Sequence, residues 1–431
     1  MSTTVIPDAP VRTSKTVESP AKRRQRLSSG TLIAIVGLLL AVAAFTSTGT
    51  SRIALSDAFD EIKLPTIEVP AVPVVALAAA VLLFVGGFFV AKRVPKPYST
   101  WLGVLAGVAL LVGFIVWVAA DAPLPFTLTN QLNGTLQYAT PIMLGAMCGV
   151  LSERAGVVNV AIEGQMLTAA FTASVVAGLT KNLWAALFAA VLAGVLSAVL
   201  LGIFALKYLM DHVVLGVVIN LLATGFTGFM FHQLVKDSPD LNAVAVMQPV
   251  AIPGLSQLPF VGPILFVQRP LSYIAIVSVV VVWFVLYKTK WGLRVRSVGE
   301  HPHAADTVGI NVVGTKFSSV LLGGVFAGLG GAFFTIGNSG AFQTTGVTAG
   351  NGFIALAAVI MGRWHPVLAA LMALFFGFSR QLAQTVGPLQ TPMPSEFLQA
   401  LPYLITIIAV AGLIGRVRGP AADGVHYVKG H

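Results

Sequence analysis

Three carboxylates, Glu153, Glu163 and Asp211, stand in or beside long apolar stretches of this 431-residue chain. Near them lie the amides Asn159, Asn220, Asn338, Gln343 and Asn351. An ionised carboxylate at the centre of a bilayer costs on the order of 2.5–3.5 kcal/mol, so Glu163 must be neutral, paired or beside a wet cavity. Two roles fit it: lining a polar path, or satisfying the backbone of a broken helix. The amides suit either hydrogen bonds between helices or the same path. Phe342 and Phe353 flank a glycine-rich interruption, where they either brush a passing solute or pack in the core. Arg154 reads as an interfacial anchor.

Catalytic patterns are missing. The chain has no GxxxxGKS or GxxxxGKT phosphate loop and no HExxH, GxSxG or CxxC. Its one cysteine, Cys148, excludes an internal disulfide and a Cys-based metal site. His212, His301, His303 and His365 lack metal-ligand spacing. The expectation is therefore no metal, no bound cofactor and no enzyme activity in this chain. A proton- or sodium-coupled carrier usually keeps several intramembrane acids. The chain has a pathway and no visible engine, which points to a separate energising subunit. An ion-coupled secondary transporter of a small polar solute is the alternative.

The elements that position these groups are membrane spans. Apolar residues make up 56% of the chain and charged residues 10%, against about 25% charged in soluble domains. Mean hydropathy is +0.87. Stretches free of Asp, Glu, Lys and Arg run Thr31–Ser51, Val69–Ala91, Pro97–Ala120, Ala122–Ser152, Gly164–Thr180, Asn182–Leu206, His212–Val235, Pro270–Tyr287, Phe317–Gly362, Trp364–Ser379 and Phe397–Gly415. Phe317–Gly362 is long enough for two crossings, which brings the total to about twelve.

With the N-terminus inside, 20 of the 26 Lys and Arg fall on cytoplasmic segments. Six stay outside: Arg52, Lys63, Lys181, Lys236, Arg269 and Arg380. This split fixes the expected orientation and places both termini in the cytoplasm. It also accounts for the net charge of +10 without a nucleic-acid partner.

The expected organisation is a disordered cytoplasmic tail at 1–30, a transmembrane hairpin at 31–97, a core at 98–415 and a cytoplasmic tail at 416–431. Crossings 3–7 and 8–12 each contain a helix pair interrupted by a polar turn, Ser152–Gln165 and Gly337–Gly352. This is the pattern of a 5+5 inverted repeat with broken helices in an all-α polytopic protein. Gly324 and Gly328 suggest close helix packing.

Three segments carry a resemblance. The first is Thr140–Met166, containing Leu151-Ser-Glu-Arg-Ala-Gly-Val-Val-Asn-Val-Ala-Ile-Glu-Gly-Gln165. The second is Gly292–Asn311, containing Gly299-Glu-His-Pro-His-Ala-Ala-Asp306. The third is Ala349–Pro366, containing Ala349-Gly-Asn-Gly-Phe-Ile354. Together they resemble the inner-membrane permease subunits of ABC importers of the ribose/branched-chain amino acid superfamily, most closely the nucleoside or simple-sugar branch. His212–Ala223 and Pro394–Tyr403 match that branch too. The resemblance covers roughly residues 130–420, and residues 1–100 inherit nothing from it.

The resemblance implies a nucleoside importer of the bacterial cell membrane. Its partners would be a cytoplasmic ABC ATPase that binds ATP and magnesium, a second permease subunit, an extracytoplasmic solute-binding protein or lipoprotein, and the lipid bilayer. It also implies a coupling helix made by Gly299, Glu300, His301, Pro302, His303, Ala304, Ala305, Asp306 and Gly309. Pro302 suits a helix start and Gly309 a stop. The path candidates are Asn159, Glu163, Asn220, Gln343, Asn351 and Phe353. Ala305→Arg is expected to break docking of the ATPase, and Ala422→Arg, in the tail, to do little.

Overall fold

Runs of Leu, Ala and Val find no water in lipid to bond their backbone, so they close their hydrogen bonds internally as helices. A computed structural model describes residues 20–57, 62–91, 96–236, 238–343, 346–389, 396–397, 400 and 418–429. Among the described residues, nine helices are long and apolar enough to cross a membrane. The protein is thus a helical, polytopic membrane protein. Contacts divide it into two compact units.

The first unit holds α1 (Pro20–Thr46), α2 (Ala71–Ala91) and most of α3 (Lys96–Val118). A Cβ on Gly86 would sit 2.6 Å from the Ala34 nitrogen, so α1 and α2 cross with backbones in contact. The sequence suggests a disordered tail up to residue 30, yet α1 already begins at Pro20. Arg26 explains part of the extension: its Nη1 donates to the carbonyls of Phe89 (2.6 Å) and Val90 (2.9 Å). Residues 1–19 lie outside the described part.

The second unit opens with a feature absent from the all-α expectation. Strands β1 (Thr50–Ala54), β2 (Thr66–Pro70) and β3 (Phe126–Thr127) form a sheet in the order β2-β1-β3. β1 pairs antiparallel with β2 and parallel with β3. The β-branched residues Thr50, Ile53, Thr66, Ile67 and Val69 favour this pleated form in segments too polar to span. The Ser51 hydroxyl donates to the Val116 carbonyl at 2.6 Å. A second hairpin pairs β4 (Val250–Ala251) with β5 (Val267–Gln268).

The helices of this unit are α4 (Leu128–Arg154), α5 (Ile162–Thr180), α6 (Leu183–Leu206), α7 (His212–Met230), α8 (Val261–Leu265), α9 (Pro270–Lys288), α10 (Lys290–Glu300), α11 (Pro302–Thr307), α12 (Val312–Phe334), α13 (Asn351–Met361) and α14 (Pro366–Val386). α7 and α12 each end in a π-helical turn, Phe231–Val235 and Thr335–Ser339. Side chains cap several starts. Asn182 accepts from the Trp184 and Ala185 amides, and Asn311 from Gly314. Asp211 accepts from Val213 and Val214, and these amides hold its carboxyl below the usual carboxylate range.

α4 is the central post, buried from Ala139 to Glu153 and packed against α9, α12, α13 and α14. α12 crosses α6 at the expected small residues. A Cβ on Gly194 would lie 2.4 Å from the Gly324 carbonyl and 2.7 Å from Gly328.

Two expected spans change. Ala122–Ser152 does not start its helix until Leu128, because Phe126 and Thr127 pair as β3. Phe317–Gly362 is not two full crossings. α12 and its π turn run to Ser339, residues 340–350 are a loop, and α13 is 11 residues long. At about 1.5 Å per residue α13 rises some 16 Å, half of a ~30 Å hydrocarbon core. Gly340 (φ 71°) and Gly350 (φ 74°) turn the chain where side chains would strain it. The expected span Phe397–Gly415 lies, apart from Phe397 and Ala400, outside the described residues.

Candidate solute pathway and coupling end

The two interruptions meet. α4 stops at Arg154, Ala155 to Ala161 are non-helical, and α5 restarts with Glu163 in its first turn. The Glu163 carboxylate reaches across to the start of α13. Oε1 accepts from the Gly350 amide at 3.0 Å and from the Thr348 hydroxyl. Oε2 accepts from the Gly352 amide at 2.6 Å. The first amides of a helix lack intrahelical partners and carry partial positive charge, so an anion there is stabilised. The contact needs a glycine: a Cβ on Gly352 would lie 2.4 Å from the Glu163 nitrogen. Of the two roles open to Glu163, its bonds go to the backbone of the broken helix.

Asn220 does for the first break what Glu163 does for the second. From α7 its Oδ1 accepts from the Gly164 amide at 2.7 Å, and its Nδ2 donates to the Val160 carbonyl at 3.0 Å. Asn159 is fully buried behind the break. Its Oδ1 accepts from the Ala161 amide, and its Nδ2 lies within 3.4 Å of Cys148 Sγ, Ser152 Oγ and Gln165 Oε1. Asn351, the first residue of α13, is buried; its Oδ1 accepts from Arg380 at 2.6 Å.

The remaining path candidates differ in exposure. Gln343 is exposed in the loop, and Phe353 on α13 is 48% exposed. Phe342 is buried, its ring 5.2 Å from Phe171 and 6.0 Å from Phe231, so it packs in the core. Asn338 accepts from Arg269 at 3.1 Å.

Two members of this cluster escape the sequence reading, Thr348 and Arg380. The charge pattern suggests an outer-loop cation at Arg380, but α14 continues through it to Val386. The segment after Ser379 contains no Gly or Pro before Gly387, and that was the available signal.

The other candidate region is the α11 end of the unit. Thr289 caps α10 by accepting from the Gly292 amide at 3.1 Å. α11 begins at Pro302 and the chain turns at Gly309 (φ 81°), as the sequence indicates. Its packing differs from the expectation. Ala305 is 4% exposed and packs with Val298, Val312 and Tyr427 of the same chain. His303, Ala304 and Thr307 are exposed, and Val308 is 75% exposed. An arginine at 305 would therefore break this chain's own packing before it met any partner.

The covering segment is the C-terminal stretch 418–429. The Ala422 amide donates to the Gly299 carbonyl at 2.9 Å, and the Ala421 amide to Glu300 Oε2 at 3.3 Å. Lys316 donates to the carbonyls of Val425 and Gly156, each at 3.2 Å, tying the segment to the first helix break. The Tyr427 ring lies 5.1 Å from His303, and His426 lies 5.2 Å from His212. Ala422 is 5% exposed, which corrects the expectation of a tolerant tail position. Burial pushes the Asp423 carboxyl up to about 7, with Lys316 pulling it partly back.

Beside this end, Arg154 binds the α13–α14 turn. Its Nε donates to the Trp364 carbonyl at 2.8 Å and its Nη2 to the Arg363 carbonyl at 3.3 Å. The Trp364 indole N–H donates to Glu153. Arg154 thus fastens a turn in which Arg363 and Trp364 both hold positive φ (54°).

Comparison with known proteins gives one family and several relatives. The family described as "Branched-chain amino acid transport system / permease component" matches residues 131–410. The chain is similar to the guanosine ABC transporter permease protein NupQ of Bacillus subtilis (strain 168), 41% identical over 69% of this chain and 95% of that protein. It is similar to the nucleoside ABC transporter permease protein NupC of Lactococcus lactis subsp. cremoris, 40% identical over 70% of this chain and 98% of that protein. It also resembles the putative glucose ABC transporter permease protein TsgC13 of Haloferax volcanii, 33% identical over 65% and 90%. No solved structure matches.

Proposed function

Since the chain belongs to the permease-component family of the branched-chain amino acid transport system, we propose that it is the membrane half of an ATP-driven nucleoside importer. It is an ABC transporter permease and not itself a catalyst. The substrate assignment rests on one observation: about 40% identity to permeases named for guanosine and for nucleosides, over nearly their whole length. The glucose-named relative is more distant, at 33%.

In the proposed cycle a solute-binding protein delivers the nucleoside from outside. A cytoplasmic ATPase binds ATP and magnesium, and this chain rocks with a second permease subunit between outward and inward states. α11 is the coupling helix. Its exposed residues His303, Ala304 and Thr307, with the exposed Glu300, His301, Val308 and Gly309 at its ends, form the ATPase contact, while Gly299, Pro302, Ala305 and Asp306 shape and seat it. The path runs by the α5–α13 junction, with Gln343 and Phe353 nearest the solute and Glu163, Asn220 and Asn351 holding its wall. Asn159 supports that wall from behind.

The nine apolar helices, the long helix α4, the half-helix α13 and the stretch Phe397–Gly415 support about twelve crossings. One break in each half of residues 98–415 supports the inverted repeat. The Lys/Arg distribution supports cytoplasmic termini in a bacterial cell membrane. The ion-coupled alternative weakens because its candidate acids are few and one of them, Glu163, already bonds two amides and a hydroxyl.

Uptake of labelled guanosine by cells expressing the complete transporter tests the substrate. Unlabelled nucleosides should compete and glucose should not. Competition by glucose alone would refute the nucleoside assignment.

A further inference from the structure

Arg380 is a cation inside a spanning helix. At about 1.5 Å per residue it lies roughly 21 Å along α14 from Pro366 and 9 Å from Val386. It is half-buried. Its Nη1 donates to Asn351 Oδ1 at 2.6 Å, and its guanidinium carbon lies 5.8 Å from the centroid of the Tyr138 ring. Among the described residues these are its partners, and no carboxylate pairs with it. The nearest anionic group of this cluster, Glu163, is bonded to the amides of Gly350 and Gly352.

A guanidinium at such depth is costly unless its N–H groups meet acceptors or a wet cavity. Asn351 takes one donor, and Asn351 is itself fixed because its Nδ2 donates to the Thr348 carbonyl. Tyr138 holds the guanidinium plane from the α4 side. The remaining N–H groups stand beside the start of α13, where no acceptor meets them among the described residues. A fork of donors held in place by an amide and a ring is suited to bind carbonyl oxygens, and its charge repels cations.

We propose that Arg380, positioned by Asn351 and Tyr138, contacts the solute and selects uncharged, carbonyl-bearing rings over cationic or carbonyl-free ones. The inference rests on the proposed transport reading and adds the chemistry by which the path discriminates. Guanosine carries a ring carbonyl, and adenosine lacks one.

The test is uptake at mildly acidic pH, where 7-methylguanosine keeps its ring proton and is a cation, in proteoliposomes holding the complete transporter, with wild type, Arg380→Gln and Arg380→Lys compared for guanosine, adenosine and 7-methylguanosine. Membrane yield and ATPase recovery at matched levels serve as folding controls. Arg380→Gln should lower guanosine uptake about tenfold, the scale of one lost charged hydrogen bond. It should also narrow the guanosine-to-adenosine ratio and admit more 7-methylguanosine, and Lys should restore exclusion of the cation. Unchanged ratios in Arg380→Gln would overturn the proposal, whether uptake holds or falls equally for all three solutes. If wild type carries no nucleoside, the substrate reading fails alone. The same variants, compared on its actual carbonyl-bearing solute and a carbonyl-free analogue, then decide the role of Arg380.

Discussion

The α5–α13 junction and the α11 end are both built from interrupted helices, but they are held by opposite means. At the junction, side chains serve the local backbone: Glu163 caps α13 and Asn220 bridges the first break. At the α11 end, a distant segment does the holding, with Tyr427 against Ala305 and His303 and the Ala422 amide on Gly299. The junction is a wall in which Glu163 and Asn220 are fully engaged with the backbone at the breaks, while Arg380 keeps N–H groups without an acceptor among the described residues. The α11 end is a short helix under a strap formed by residues 418–429. Lys316 joins the two, bonding the strap at Val425 and the first break at Gly156.

The largest expected effect attacks the wall. Glu163→Ala leaves the Gly350 and Gly352 amides unpaired, at about 1–3 kcal/mol each. The variant should unfold at lower temperature in detergent and lose transport, while Glu163→Gln keeps an acceptor and falls between. A melting temperature equal to wild type for Glu163→Ala would erase the distinction between the regions.

Next comes α11 itself. Ala305→Arg forces a long cation into the contact with Val298, Val312 and Tyr427, where overpacking costs about 1–3 kcal/mol. It should reduce stability, whereas Ala304→Arg on the exposed side should leave melting unchanged and reduce recovery of the ATPase. Equal behaviour of the two variants would mean that α11 has no separate inner and outer faces.

A smaller effect is expected at the strap. Tyr427→Ala should raise hydrogen exchange at Ala305 and Gly299 while leaving the α5–α13 amides protected. Loss of protection at both regions together would show that strap and wall are one unit.

The smallest effect is pH-dependent. The docked Asp423 carboxyl sits at about 7 against an ordinary 3.8, so docking favours its protonated form. Lys316 and Glu153 are the charged groups that face it. The Asp423 contribution to strap docking should therefore be fully present below about pH 4 and be lost as pH rises through about 7. The mobility of a spin label already attached to a cysteine placed at Val428 should be lowest near pH 4 and rise towards pH 7, and Asp423→Asn should flatten that rise.

Much of the wall was legible in the sequence, because its signals are local. Glycines at 350 and 352, a lone acid at 163 and an amide at 220 mark broken helices that need partners. The start and stop of α11 were legible for the same reason, through Pro302 and Gly309. The strap was not, since its contacts join residues more than a hundred positions apart and its composition reads as an ordinary tail. Arg380 was misplaced because a charge at the end of an apolar run looks like an interface when the helix has no visible stop. Strands β1 and β2 were missed because their short polar segments resemble a loop until they pair.

The central claim is that this chain passes nucleosides at the expense of ATP hydrolysed on a partner. The direct measurement uses proteoliposomes containing this permease with its partner subunits, the solute-binding protein outside and ATP with magnesium trapped inside. Labelled guanosine should accumulate only with hydrolysable ATP and the ATPase present, and should not respond to an imposed proton or sodium gradient. Accumulation driven by such a gradient without ATP would contradict the account.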